Sequence, residues 1–339
     1  MTASDRSMRR SIVFATDLLD GLVELSRDAE ASGFHRVYTT EFPGRDAVAR
    51  ALAIGLGTER IGVATGIAYA FTRSPLEMAA LAADVQRLTG GRFAIGLGSG
   101  TRGIRRLYGT EIDRAATWLS GYVAQLRRAW GSMPELSASG PPPVLGAALN
   151  PTMARIMARA CDGVLLHPLA LLRAHLVDRV LPAIRAGEQA GSEPSTVSAW
   201  CITAIDRDRD AAREVGRRQA AFYLSTPSYA SVVEGTPWDD VAAKVRTAFD
   251  ASDRRATWAS LAPLVPDALL DEIALTGTPE EVADQAEILE RELGELGIDE
   301  LVLQTVGAEL DDAAVLRNCA EIIQQLAPGA DALSRGGSR

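Results

Sequence analysis

The chain has 339 residues, 47% of them hydrophobic and only 5% aromatic, with a formal net charge of −9 at pH 7. The acidic balance argues against a nucleic-acid partner. No apolar run reaches membrane length, and the opening residues MTASDRSMRR lack an apolar leader core, so a cytoplasmic protein without membrane partners is expected. Cys161, Cys201 and Cys319 are odd in number and widely spaced, which predicts reduced, packed thiols and no metal framework.

Residues 1–10 read as a loose polar tail and 11–15 (SIVFA) as the first strand. A helix over 18–32 carries Leu18, Leu22 and Leu25 on its apolar side, and Gly33 ends it. The second strand, 36–39, stops at Glu41 and Phe42. A helix over 46–56 leads to a third strand, 61–64, followed at once by Thr65-Gly66-Ile67-Ala68. Pro75 opens a helix over 75–88, which Thr89-Gly90-Gly91 closes. The fourth strand, 93–97, runs into Gly98-Ser99-Gly100-Thr101. Strand, crossover helix, strand implies parallel pairing. The glycine loop has neither a P-loop lysine nor a full GxGxxG, so it is no phosphate signature by itself. Arg102, Arg105 and Arg106 then form a basic cluster, either a solvated helix face or a contact to an anionic ligand.

A helix over 117–130 and a Pro/Gly/Ser-rich loop, 134–143, precede the fifth strand, 144–148. Asn150, Pro151 and Thr152 form a helix start whose exposed amides suit a phosphate. The sixth strand, 163–166, ends at His167-Pro168. The next helix, 169–180, contains His175, and 197–204 is the seventh strand. Residues 206–275 are too long for one crossover and read as a helical insertion, which concentrates Phe222, Tyr223, Tyr229 and Trp238 in an aromatic-poor chain. Thr278 and Glu281 form a capping box. The eighth strand, 300–305, a closing helix, 310–326, and a polar tail, 328–339, complete the chain. Alternation in a single pass without a linker predicts one domain over 1–339 of the α/β class, a (β/α)8 TIM barrel with a helical insertion before the last strand. Such barrels place ligands at the carboxyl ends of their strands, where Glu41 and His167 stand. Each is readable as a satisfied structural group or as a site residue.

Thr65-Gly66-Ile67-Ala68, Arg73-Ser74-Pro75, Gly90-Gly91-Arg92-Phe93 and Gly96-Leu97-Gly98-Ser99-Gly100 together resemble the bacterial luciferase-like superfamily. That family comprises flavin monooxygenases and oxidoreductases that use the deazaflavin coenzyme F420. Residues 19–41, 143–169 and 269–282 resemble its other blocks in order, so the resemblance spans about 12–327. The phrases DGVLLHPL, AFYLSTPSY and TGTPEEVA point to its F420-dependent branch.

The resemblance implies a luciferase-like barrel whose insertion walls the substrate cleft. It implies a bulge at Gly66, Ile67 and Ala68, with a non-proline cis peptide backing the central cofactor ring. Gly98, Ser99, Gly100 and Thr101 would lie near the ring and ribityl chain, and Ala147, Ala148, Leu149 and Asn150 near the cofactor phosphate. Glu41 would lie beside the ring system, Phe42, Tyr223 and Tyr229 would face substrate, and Arg73 would position its loop. Two departures stand out: Phe42 replaces a histidine of many relatives, and Thr101 replaces a glutamate of some dehydrogenases. That leaves Glu41 and His167 as catalytic candidates. An ordinary histidine pKa near 6.5 makes His167 the expected proton relay, with Glu41 orienting a ring or water. The expected function is F420-dependent hydride transfer to or from a small organic substrate. The alternatives are an FMNH2-dependent monooxygenase using FMN and a catalytically degenerate cofactor-binding protein. Homodimerisation is expected by analogy alone.

Overall fold

Eight strands close into a barrel in this computed structural model, which describes residues 8–15, 19–136, 140–190, 195–250, 254–306 and 312–328. The expected tails fall largely outside these residues, as do the first residues of the closing helix. The strands are β1 Arg9–Phe14, β2 Arg36–Thr39, β3 Gly62–Thr65, β4 Phe93–Gly98, β5 Val144–Ala148, β6 Gly163–Leu166, β7 Thr196–Ile205 and β8 Glu300–Thr305. Each pairs in parallel with the next, and β8 pairs with both β7 and β1, which closes the ring. The expected (β/α)8 barrel is therefore the fold. A closed ring has no edge strand, and its members are buried on both faces, which is why most read as continuous apolar runs.

The barrel interior is filled in layers. Its floor is polar. Glu300 of β8, 1% exposed, accepts hydrogen bonds from Ser11 of β1, from Tyr38 Oη at 3.0 Å and from Ser198 Oγ at 2.6 Å. Arg36 Nη1 lies 3.6 Å from the same carboxylate and donates to Tyr38 Oη at 3.1 Å. Burial alone would raise the pKa of Glu300, but Arg36 and the two serine hydroxyls outweigh it and hold the carboxyl below its usual range. Above this floor sits an apolar layer that includes Val13, Tyr38, Leu145, Leu165, Trp200 and Val302. The ring of Tyr38 meets that of Trp200 edge-on at 5.5 Å.

Helices cover the outside, and local chemistry starts several of them. The side chains of Asp46, Ser74 and Asn150 cap the helices Ala47–Gly57, Pro75–Leu88 and Pro151–Ala160. Thr278 and Glu281 form the anticipated capping box of Pro279–Glu295. The three cysteines are buried and free, as expected.

Two departures from the sequence reading concern the second half. The helix expected over 169–180 is a broken element: a 3-10 turn Pro168–Leu171, a helical turn Arg173–His175, a π-helical turn Leu176–Val180, and then a helix that continues to Glu188. Pro182, which has no amide to donate, follows directly on that π-helical turn, where Leu181 N donates to Leu176 O, and it does not stop the element. The insertion also does not run helically to its end. After the helices from Arg209–Ser225 to Asp267–Ile273, a short parallel strand Ala274–Gly277 pairs with the upper half of β7, above the part that pairs with β6. Four residues flanked by helix signals on both sides gave no alternation to read.

Replacing Glu300 with Ala should destabilise the fold by about 3–5 kcal/mol, because Arg36 would stay buried without its counter-charge. The double variant Glu300→Leu/Arg36→Met should recover much of that loss. Urea denaturation of the three proteins measures both effects.

Candidate active site

The carboxyl ends of β2, β3 and β4 build one half of the barrel mouth. Gly66 N donates to Thr39 O at 2.7 Å, and Glu41 N donates to Ile67 O at 3.0 Å, so the chain after β3 is fastened to the chain after β2. The Gly66–Ile67 peptide is cis, as the resemblance implied. Ala68–Tyr69 then pairs with the end of β4. Glycine is required at position 66 by the barrel interior: a Cβ there would lie 2.3 Å from Trp200 Cζ2. Gly98 is similar, since its Cβ would meet Ile67 Cδ1 at 2.0 Å, so the Ile67 side chain lies across it.

Glu41 is 8% exposed. Its carboxylate accepts from Tyr69 N at 3.3 Å and Thr72 Oγ1 at 3.4 Å, with Arg73 Nη1 at 3.7 Å. Arg73 also pairs with Asp46, and its carbonyl accepts from Tyr122 Oη at 3.1 Å, so Arg73 positions this loop as anticipated. Burial pushes the Glu41 pKa up to about 7. Arg73 opposes that shift and Asp46 reinforces it. Phe42, 41% exposed, lies at the rim beneath the Arg45 guanidinium.

The glycine loop after β4 is held by its own chain. Arg105, buried, donates to Ser99 O at 3.1 Å and Gly100 O at 2.7 Å, and Gly100 takes the left-handed conformation, φ 60°. The Thr101 hydroxyl caps the turn Arg102–Leu107 by accepting from Ile104 N at 3.3 Å. The arginine cluster is thereby divided: Arg105 is internal, and Arg102 and Arg106 are exposed.

β5, β6 and the insertion build the opposite half. Ala147 is half-buried, whereas Ala148 and Ala68 turn their side chains into the layer between barrel and helices, so any contact from those two comes from the backbone. The Asn150 side chain accepts from Met153 N at 3.0 Å. His167 Nδ1 accepts from Leu169 N at 3.2 Å, which leaves the proton on Nε2. Its ring packs against Tyr223 at 4.3 Å and Tyr229 at 4.8 Å. Burial pushes its pKa down to about 3, so it is neutral near pH 7. The expectation that His167 titrates near neutrality is not met: the group whose pKa falls there is Glu41. β2 and β6 are four places apart around the ring of eight strands, so Glu41 and His167 flank the mouth from opposite sides. The halves touch through Arg102 N, which donates to Ser228 Oγ of the insertion at 3.3 Å.

Several residues escaped the sequence reading. Trp200 supports Gly66 from below. His175, fully buried, holds Leu149 O at 2.8 Å through Nε2, and because a carbonyl only accepts, that nitrogen carries its proton. Tyr69, Phe71 and Tyr108 form an aromatic cluster beside Glu41, with centroids 5.3 to 6.3 Å apart. Inward alternation along β7 (Ser198, Trp200) could have flagged the tryptophan. Nothing in the sequence pairs His175 with a loop 26 residues away.

Glu41 and His167 thus stand at the carboxyl ends of β2 and β6 of a closed parallel barrel, the end at which such barrels place their ligands. The profile of the luciferase-like monooxygenases matches residues 6–296, and the chain belongs to that family of oxidoreductases. It is 30% identical over 261 residues to the phthiodiolone/phenolphthiodiolone dimycocerosates ketoreductase of Mycobacterium tuberculosis, covering 69% of this chain and 68% of that protein. Its structure resembles the coenzyme F420-dependent tetrahydromethanopterin reductase of Methanopyrus kandleri, with a TM-score of 0.72, 19% identity and coverage of 94% and 98%. It also resembles the oxygenating constituent of 3,6-diketocamphane monooxygenase of Pseudomonas putida in complex with FMN, with a TM-score of 0.65, 14% identity and coverage of 95% and 99%. Among the described residues no helix is long and apolar enough to cross a membrane, and no cluster suits a metal.

The Glu41 carboxyl has a sign that can be checked. Its folded pKa lies above the unfolded value, so it contributes stability that is fully present below about pH 4.5 and lost as pH rises through about 7. Glu41→Gln should remove that component. Denaturation midpoints measured from pH 4.5 to 8 should fall less steeply with rising pH in the variant than in the parent.

Proposed function

We propose that this protein is an F420-dependent oxidoreductase that moves a hydride between the deazaflavin and a small organic substrate. One observation carries the reading most: a carboxyl with a pKa of about 7 lies at the mouth, hydrogen-bonded to the strand that follows the cis peptide. An acid of that pKa can give or take the proton that accompanies hydride transfer at working pH. The F420-dependent reductase whose fold this chain shares supports the cofactor, and the likeness to a ketoreductase supports reduction of an organic substrate.

The residues present fit such a cofactor. Thr40 Oγ1 and Trp200 Nε1 are buried polar atoms without hydrogen-bond partners, and strand alternation turns both toward the barrel interior near the mouth. They suit the polar edge of a flat ring or a water beneath it. The Gly66–Ile67 ledge, Gly98 and Ser99 would hold the ring, and the start of the helix Pro151–Ala160, with Asn150, would hold the anionic tail. When bound, F420 supplies a two-electron hydride carrier. Glu41 would hold the mobile proton on its carboxyl, while His167, kept neutral, would orient substrate through its Nε2–H. Tyr223 and Tyr229 would exclude water. The flavin monooxygenase reading has its own support in the FMN-bound neighbour, and the same ledge would serve it. A cytoplasmic homodimer is proposed for the assembly.

Fluorescence titration with oxidised and reduced F420 and FMN distinguishes the readings. F420 should bind at least tenfold more tightly; tight FMN binding with no F420 binding would overturn the proposal. Glu41→Gln should lower turnover by about 10²–10⁴-fold and leave cofactor affinity little changed, read as a split between kcat and Kd.

A further inference from the structure

The ring of His175 is wholly buried and makes one hydrogen bond among the described residues, from Nε2 to Leu149 O at 2.8 Å. Its Nδ1 is enclosed without a partner. An apolar side chain would fill the same space and leave no nitrogen bare, so the single bond is what accounts for a histidine here. Burial, reinforced by the charge of Arg179, pushes its pKa down, and the ring is neutral near pH 7. The π-helical turn Leu176–Val180 starts directly after His175, and such turns are frequent at functional sites. Beyond it, a Cβ at Gly187 would lie 2.2 Å from Arg155 O, so Leu181–Glu188 packs backbone against backbone on Pro151–Ala160. The segment that carries His175 is thereby fixed to the helix whose entry it holds.

The bond sets a direction. The Leu149–Asn150 peptide is trans, and in a planar trans peptide the C=O and the following N–H point opposite ways. With Leu149 O turned to the buried ring, Asn150 N–H is turned away from it. Ala148 O accepts from His167 N at 3.3 Å and Asn150 O from Ala154 N at 2.9 Å, so each carbonyl from Ala148 to Asn150 is engaged. The amides of Asn150 and Thr152 donate to no group among the described residues, and Pro151 between them has none. Acceptors are taken up and donors are left open, which is the polarity an anion requires.

We propose that His175 is a positioning residue for the loop that receives the cofactor's anionic group: it holds Leu149 O on the buried side and thereby keeps Asn150 N–H on the ligand side. The inference deepens the proposed function and rests on the loop at Asn150 holding the anionic tail. Without the imidazole, Leu149 O would be a buried acceptor with no donor, and rotation of the peptide toward water is the relief open to it. That rotation withdraws the Asn150 donor and sets a carbonyl oxygen where the anion would lie. Loss of one hydrogen bond to a charged group corresponds to about a ten- to hundredfold loss of affinity. A ligand without the anion would feel neither change.

Asparagine occurs in this chain only at Asn150 and Asn318, so labelling with α-15N-asparagine gives a backbone amide signal for each. Asn318 lies in the last helix, Asp312–Gln325, and is the internal control. Inorganic phosphate added to the full chain should move the Asn150 signal saturably and leave that of Asn318 in place. His175→Leu fills the site without a donor and should weaken the phosphate response about tenfold or more. His175→Gln, whose side-chain amide can still donate to Leu149 O, should retain it. Followed by fluorescence, His175→Leu should weaken F420 about ten- to hundredfold and leave the deazaflavin chromophore that lacks the phosphate unchanged. An Asn150 signal that phosphate does not move, a parental response in His175→Leu, or a lost response in His175→Gln would each overturn the proposal. Equal weakening of F420 and the bare chromophore, the result of a merely structural histidine, would do so too. If His175→Leu fails to fold, His175→Met replaces it; if both fail, retention or loss of the response in His175→Gln decides. Failure of F420 to bind, with the phosphate response present and dependent on His175, would strike only the cofactor reading.

Discussion

The barrel stands on a charge that has no access to water. Glu300 gathers a hydroxyl from β1, a phenol and a guanidinium from β2 and a hydroxyl from β7, so one carboxylate on β8 ties four adjacent strands at the floor. A buried ion of this kind tolerates no slip, since a shift of one residue would turn its partners outward and leave it unpaired. Register fixed at the floor then propagates upward. Tyr38 stands in the floor through its hydroxyl and in the apolar layer through its ring, where it meets Trp200. Trp200 in turn fills the space beneath Gly66. The ledge at the mouth therefore rests on a column of side chains that begins with the carboxylate of Glu300.

That column explains what the sequence disclosed and what it concealed. Most barrel strands are apolar runs followed by small or polar residues, and that pattern is visible one residue at a time. The caps at Asn150 and Thr278 are local too, and each formed as its spacing implied. Contacts between distant segments have no such signature. Gly66 is recognisable as a special position, but that the obstacle is Trp200, 134 residues onward, follows only from closure of the ring. The strand Ala274–Gly277 exists because β7 outruns β6 and leaves its upper edge open to pairing.

The titratable groups show the same division more sharply. Type and position made His167 the natural proton carrier and Glu41 the group that orients a ring or a water. Burial reverses the order, because it penalises the charged form of each: the acid is pushed toward neutrality and the base away from it. Near neutral pH His167 is uncharged because it takes up no proton, and Glu41 stands between its protonated and ionised forms. The two halves of the mouth thus differ in which can still exchange a proton.

Arg73 gives that exchange a reach beyond a single carboxyl. Its guanidinium serves two acids, Glu41 within the mouth and Asp46 at the start of the helix Ala47–Gly57. With Glu41 ionised the trio carries one net negative charge; with Glu41 protonated it carries none, and the guanidinium belongs to Asp46 alone. A proton arriving at Glu41 is thus felt twice, as a changed field over the ledge and as a firmer clasp on the neighbouring helix. Chemistry at the mouth and the grip of the loop around it are two readings of one occupancy.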